Sequence, residues 1–300
     1  MKCLFFGLIS LMTSVTFGQN ILNVSSPQEF RELRKNNTKV NEAGDTVSTL
    51  ATPMPYGHVE DKDILWSKVV WEVIDLNERI NQPYYRTSDG LLTESISLYD
   101  ALVEGVRSGK ITEVYDDEYF TTKMTYDQIV SRTEKKDTPQ FYFDMIDNGE
   151  DPDPNLIFNF QISSGDITML KTKGMWYIDR RLGELKYRLL GLCIMGPDAQ
   201  ALGTAYDDGT FVELFWIWYP DAREVLNNYT VFNPSNSLST VSYDDLLNSR
   251  RFNSVLYKAQ TIYGINPINE YIPKDSKGQL EESDRIRTSI IQTEADMWNY

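Results

Sequence analysis

The chain has 300 residues, 41% of them apolar, and a formal net charge of −15 at pH 7. This length and apolar content are enough to bury a sizeable core in one domain or two, and we favour one. A strongly acidic chain is repelled by phosphate backbones and by anionic lipid surfaces. Nucleic-acid binding and direct electrostatic docking on a membrane are therefore disfavoured.

The first 18 residues have the pattern of a secretory signal peptide. A short basic start is followed by an apolar run from residue 4 to 15 and by Thr16-Phe17-Gly18. Cys3 lies near the beginning of that run, whereas a lipoprotein signal would place a cysteine at its end. We therefore expect an exported protein that is not lipidated. Cys193 is then the one remaining cysteine, which excludes an internal disulfide and predicts a buried structural thiol.

Residues 19–60 are rich in Asn, Ser, Thr and Pro and contain few aromatic residues. This composition predicts an extended or partly disordered arm. Residues 61–300 are predicted to form a single α+β domain.

Three helices are predicted before residue 135. Apolar residues at spacings of three and four, from Leu65 to Ile80, predict an amphipathic helix near 63–82 that ends at Pro83. Ser97, with Asp100 three residues later, predicts the start of a helix over 97–109. Thr125 and Gln128 predict a capping box for a shorter helix that ends near residue 132.

Residues 156–219 predict an antiparallel sheet, because short runs alternate apolar with polar side chains. The predicted strands cover 156–162, 166–171, 175–179, 184–195 and 211–219. A turn at 180–183 makes a hairpin of the third and fourth, and the last strand is apolar on both faces, as in a strand covered on both sides.

Helices are predicted again at 221–228, from Ser242 through Leu246, Leu247, Phe252, Val255 and Leu256, and at 280–298. The predicted fold class is therefore α+β, with an antiparallel sheet at about residues 156–219 flanked by N- and C-terminal helices.

The residues needed for several common chemistries are missing. The single histidine, His58, does not allow a Ser or Cys triad of the usual kind and leaves a zinc site without its commonest ligand. The acidic residues Asp116, Asp117 and Glu118 lie beside aromatic residues, as in some glycosidases and calcium sites, but no second motif accompanies them. We predict no catalytic residue, no metal site and no cofactor. An exported carboxylate-dependent hydrolase or a sugar-binding module stays the alternative.

Several of these stretches carry a resemblance to a known family, in the expected order and over most of the chain after residue 60. They are residues 63–76, 80–85, 97–102, 111–120, 176–179, 187–193, 214–220, 242–246 and 282–298. They resemble the GldN/PorN family, the periplasmic gliding-motility and type IX secretion proteins of Bacteroidetes.

The resemblance implies a non-enzymatic subunit, periplasmic and peripheral to the outer membrane. Such a subunit joins a GldK/PorK-type lipoprotein in a ring and contacts a GldM/PorM-type inner-membrane protein. Self-association within the ring is implied as well, and no catalytic or metal-binding residue is carried over.

An uneven charge distribution suggests how such subunits meet. Residues 113–153 are mainly acidic and residues 171–188 mainly basic. A head-to-tail contact joins two different surfaces, so unlike patches should face each other. The candidate interface residues are Asp116, Asp117, Glu118, Lys171, Lys173, Lys186 and Arg188. The alternative is that they pair within one chain or face solvent, where an ion pair contributes about 0 to 1 kcal/mol.

Overall fold

A computed structural model describes residues 53–85, 96–149, 157–201, 209–231, 241–262 and 264–298, and the backbone of 38–40 and 46–48. The predicted signal peptide and most of the predicted arm lie outside the described residues, so the predicted domain boundaries stay predictions. The chain divides into two compact units, Met1–Thr49 and Leu50–Tyr300. In the first, β1 (Thr38–Val40) pairs antiparallel with β2 (Thr46–Ser48).

The second unit contains the other described elements. Its strands are β3 (Ile64–Asp75), β4 (Val114–Tyr115), β5 (Glu134–Asp137), β6 (Phe158–Gln161), β7 (Met169–Asp179), β8 (Glu184–Pro197), β9 (Phe211–Trp218), β10 (Thr230–Val231), β11 (Val241–Ser242), β12 (Val255–Thr261) and β13 (Gly264–Pro267). Its helices are α1 (Gln82–Tyr85), α2 (Leu98–Arg107), α3 (Tyr126–Thr133), α4 (Gln140–Asp147), α5 (Tyr219–Asn228), α6 (Tyr243–Asn248), α7 (Ile268–Tyr271) and α8 (Ser276–Met297).

Seven of these strands form one antiparallel sheet in the order β13-β12-β3-β7-β8-β9-β4. The two smaller pairs are β5 with β6 and β10 with β11. The predicted α+β class with a large antiparallel sheet is therefore confirmed.

The helix predicted near 63–82 is wrong, because residues 64–75 form strand β3. The segment is rich in β-branched and aromatic residues, which suit a pleated surface. Hydrogen bonding to β7 on one side and β12 on the other makes it a central strand. Val70 and Ile74 are buried on one face and Trp71 on the other. Burial on both faces produced apolar spacings of three and four that also fit a helix.

Three further details differ from the prediction. Strand β6 pairs with β5 in a two-stranded sheet and does not belong to the main sheet. The helix predicted after Ser242 ends at Asn248, and Val255 and Leu256 lie in strand β12. The two strands predicted at 166–171 and 175–179 are one continuous strand, β7.

Several local signals were read correctly. The Ser97 hydroxyl accepts a hydrogen bond from the backbone N–H of Asp100 at 3.1 Å and caps α2, and Thr125 with Gln128 forms the capping box of α3. The β7–β8 hairpin turns at 180–183, where Gly183 has φ of 65°. The central residues of β9 are buried on both faces, and the helices predicted at 221–228 and 280–298 are present as α5 and α8.

The sheet has two unlike faces. One is packed by helices: α2, α3, α5 and α6 contribute to a large apolar cluster with Ile74, Leu192 and Ile217, while α7 and α8 pack on Val70 and Leu256. The opposite face carries Trp71, Cys193, Met195 and Trp216, and within the described chain no helix residue takes part in that cluster. We call this second side the open face.

Candidate functional site

The open face is covered in part by the turn that follows β4. The Asp117 carboxylate accepts hydrogen bonds from the backbone N–H groups of Tyr119 at 2.7 Å and Thr122 at 3.2 Å, and also from the Thr121 hydroxyl. These bonds, led by the one from Thr121, lower the pKa of Asp117. The Asp117 carboxylate therefore stabilises the turn through hydrogen bonds to residues within it.

Phe120 fastens this turn to the sheet. It has φ of 59°, a conformation unusual for a bulky residue. Its ring lies 5.0 Å from Trp218 and 6.3 Å from Trp216, centroid to centroid, in edge-to-face geometry. At Gly191 an added Cβ would lie 2.5 Å from the Phe120 ring, so the missing side chain makes room for it.

Glu118, two residues before Phe120 in the turn, is paired with a buried lysine. Its carboxylate accepts a hydrogen bond from Lys258, whose ammonium also donates to the Tyr119 hydroxyl at 3.1 Å. A β-bulge between Leu256 and Lys258 makes this contact possible, because it places Lys258 opposite Trp71, on the open face. Burial by itself lowers the pKa of Lys258, but the hydrogen bonds to Glu118 and Tyr119 and the charge interactions with them together outweigh burial, so the pKa is raised.

Lys173 is the second cation beneath the turn. Its ammonium donates to the backbone oxygen of Glu118 at 2.8 Å and lies 4.9 Å from the Phe120 ring and 5.3 Å from the Trp71 ring. Burial, with a smaller contribution from Lys258, lowers the pKa of Lys173. The sheet thus holds the turn through two lysines and a set of aromatic rings.

The other predicted interface residues also have neighbours in the same chain. Asp116 pairs with Arg132 at 2.6 Å, and Lys171 pairs with Glu213 at 2.7 Å. Lys186 lies 3.8 Å from the Glu184 carboxylate and its side chain is 35% exposed. The acidic and basic groups predicted to meet across a subunit boundary therefore meet in part within one chain. Their contact with another subunit stays a prediction.

Arg188 binds residues 56 and 57, which belong to the arm predicted over residues 19–60. It donates to the backbone oxygen of Gly57 at 3.0 Å, and its guanidinium lies 4.6 Å from the Tyr56 ring. Arg223 lies 4.0 Å from the same ring and forms a buried pair with Asp244 at 2.9 Å. Residues 53–58 therefore pack against the rest of the second unit. Because their partners Arg188 and Arg223 are far away in the sequence, no local pattern indicates this contact.

The described residues contain neither a candidate metal site nor a helix that could span a membrane. They contain no group of three or more His, Cys, Asp or Glu side chains placed to hold a metal ion. None of the described helices combines the length and apolarity that a membrane span requires. Cys193 is buried as predicted, and burial raises the pKa of its thiol.

The fold and the open face define an antiparallel α+β protein in which charged and aromatic residues fasten a turn and an N-terminal segment to the sheet. No match is found among curated proteins. Residues 59–299 match the family described as gliding motility associated protein GldN, and because the match covers more than half of the chain, the chain belongs to this family. The resemblance found in the sequence is thus confirmed. The family is a component of the gliding motility and type IX secretion machinery and is not a known enzyme family.

Proposed function

We propose that the protein is a non-enzymatic structural subunit of this machinery, located in the periplasm at the outer membrane. It forms a ring with a GldK/PorK-type lipoprotein, associates with copies of itself and contacts a GldM/PorM-type inner-membrane protein. The observation that carries the proposal is the family match over residues 59–299, which includes every described element from β3 to α8.

The charge of the chain supports a protein-mediated link to the membrane. A net charge of −15 disfavours direct adsorption to anionic lipids. A lipoprotein partner supplies the anchor instead. The acidic residues that suggested a hydrolase or sugar-binding module have other partners, since Asp117 shapes its own turn and Glu118 pairs with Lys258.

Exposed apolar residues on α4 suit a contact with another protein. Phe141, Phe143 and Ile146 are each about half exposed in this short helix. Phe143 and Ile146 are three residues apart and therefore share one side of the helix. Large exposed apolar groups on one side of a helix are typical of interaction surfaces. We propose α4 as one contact of the subunit, in addition to the charged residues Lys186 and Arg188.

Deleting the gene and complementing it with wild-type or variant copies tests the proposal. We expect the deletion strain to retain secreted cargo, and gliding to stop if the host glides. Wild-type protein should co-purify from membranes with the lipoprotein. Normal export in the deletion strain, together with no co-purification, would contradict the subunit function.

Two variants locate the contacts. The triple variant Phe141→Ser/Phe143→Ser/Ile146→Ser should keep the fold, judged by circular dichroism, and lose co-purification. Lys186→Glu tests the charged contact more cleanly than Arg188→Glu does, because Arg188 also holds residues 56 and 57. Unchanged assembly of the folded Lys186→Glu protein, with an unchanged response to salt, would eliminate the Lys186 contact.

A further inference from the structure

A cavity of about 280 Å³ opens between helix α8 and the helix-packed face of the sheet. Its apolar wall consists of Trp176, Phe252, Leu256, Ile290 and Ile291. Three charged residues, Glu72, Arg250 and Arg287, line the same cavity. Apolar walls with a few convergent polar groups are the usual composition of ligand sites, and this volume lies just below their usual range of about 300–1,000 Å³.

Glu72 and Arg250 neutralise each other. Glu72 is almost fully buried, and its two carboxylate oxygens accept one hydrogen bond each, both 2.9 Å long, from the two terminal nitrogens of Arg250. This fork-to-fork geometry is the strongest that Arg and a carboxylate form. The guanidinium also lies 4.1 Å from the Tyr187 ring and 5.1 Å from the Trp176 ring. Glu72 and Arg250 therefore form a bidentate ion pair and contribute no net charge to the cavity lining.

Arg287 leaves the lining with an excess positive charge. One of its terminal nitrogens donates to the backbone oxygen of Ser254 at 2.6 Å. Its nearest carboxylates, those of Glu72 and Asp284, are 3.9 and 4.0 Å away, longer than a charge-assisted hydrogen bond. The side chain is 38% exposed. A guanidinium has five N–H donors, so Arg287 has the capacity to bind a further carboxylate from solution.

We propose that this cavity binds the C-terminal end of a polypeptide whose last residue is apolar. The α-carboxylate pairs with Arg287, and the last side chain packs against Trp176, Phe252 and Leu256. A C-terminal residue carries a carboxylate and a side chain on the same carbon. This arrangement fits an arginine whose ion pairs are long, at 3.9 and 4.0 Å, beside an apolar wall. A polyanion is disfavoured because the chain itself carries a net charge of −15.

This proposal is independent of the proposed function, because it depends on the residues that line the cavity and not on the family match. The probes are N-acetyl-Leu-Phe with a free carboxylate and the same dipeptide as its C-terminal amide. Each is titrated by calorimetry into the full-length protein, into Arg287→Gln and into Arg285→Gln. Arg285 is the matched control: it lies on the same helix, is 71% exposed and pairs with Glu282 at 2.5 Å, and it does not line the cavity.

We expect the free acid to bind the wild-type and Arg285→Gln proteins with equal affinity, and Arg287→Gln at least tenfold more weakly. The amide should bind the wild-type protein at least tenfold more weakly than the acid. Equal binding of acid and amide would overturn the proposal, and so would unchanged affinity in Arg287→Gln or no saturable binding at millimolar peptide. The acid and amide are compared on wild-type protein, so the proposal stays testable even if Arg287→Gln misfolds.

Discussion

Replacing Lys258 by Met removes the cation that holds the turn over the open face. The Lys258 side chain is 8% exposed and that of Glu118 is 18% exposed, so the change leaves a carboxylate with little access to water. Removing one partner of a buried pair costs about 3–5 kcal/mol. Because Glu118 retains some solvent contact, we expect the lower end, about 3 kcal/mol of unfolding free energy. At about 2–4 °C per kcal/mol for a domain of this size, Tm should fall by about 6–12 °C.

A double-mutant cycle with Glu118→Gln separates the pair from the loss of packing. Replacing both residues removes the uncompensated charge, so the double variant should be less destabilised than the sum of the single variants, with a coupling of about 2 kcal/mol. Urea unfolding followed by tryptophan fluorescence measures all four proteins. Lys123→Met is the control, because the pair of Lys123 with Glu113 is exposed. A Lys258→Met protein as stable as this control, or a coupling near zero, would refute a turn held by the ion pair.

Three further outcomes follow from single contacts. Burial raises the pKa of Tyr56 to about 12, so the neutral phenol favours the folded state. The contribution of Tyr56 to stability should be full below pH 10 and should fall as the pH rises toward 12. In alkaline unfolding experiments the Tyr56→Phe protein should therefore lose less stability than the wild type. Gly174→Ala places a Cβ 2.1 Å from the Tyr187 hydroxyl oxygen and should cost about 1–3 kcal/mol, whereas Gly57→Ala, with open space around it, should change stability little. Cys193 should react with a thiol reagent in a Cys3→Ser protein only as fast as the protein unfolds, and rapid labelling under native conditions would contradict its burial.

The local signals in the sequence were reliable where neighbouring residues alone decide the structure. Caps such as Ser97 and the pair Thr125 with Gln128 act over three residues, and both form as predicted. The β7–β8 hairpin joins consecutive strands through a glycine turn, so its register follows from the turn. Helix α8 forms where a helix was predicted at 280–298, and it buries Ile286 and Ile290.

Residues 64–75 show what a local pattern leaves open. The spacing of Leu65, Val69 and Val73 fits one face of a helix and equally a strand with both faces apolar. The choice depends on β7 and β12, which lie about a hundred residues or more away along the chain and bind both edges of this segment. Burial on two faces removes the alternation that would otherwise have identified the strand.

The open face depends still more on distant parts of the chain. Residues 113–153 and 171–188 are unlike patches in the sequence, and pairing within one chain was the stated alternative to a contact between subunits, but the sequence does not indicate which of their residues meet. Lys258 was not singled out, and it reaches Glu118 only because a bulge in β12 turns it toward Trp71. The distribution of charge along the chain thus predicts which segments carry an excess of acidic or basic side chains. Strand order and register decide whether these side chains meet a partner of opposite charge in the same molecule, because the pairing of distant strands brings together residues that are far apart in the sequence.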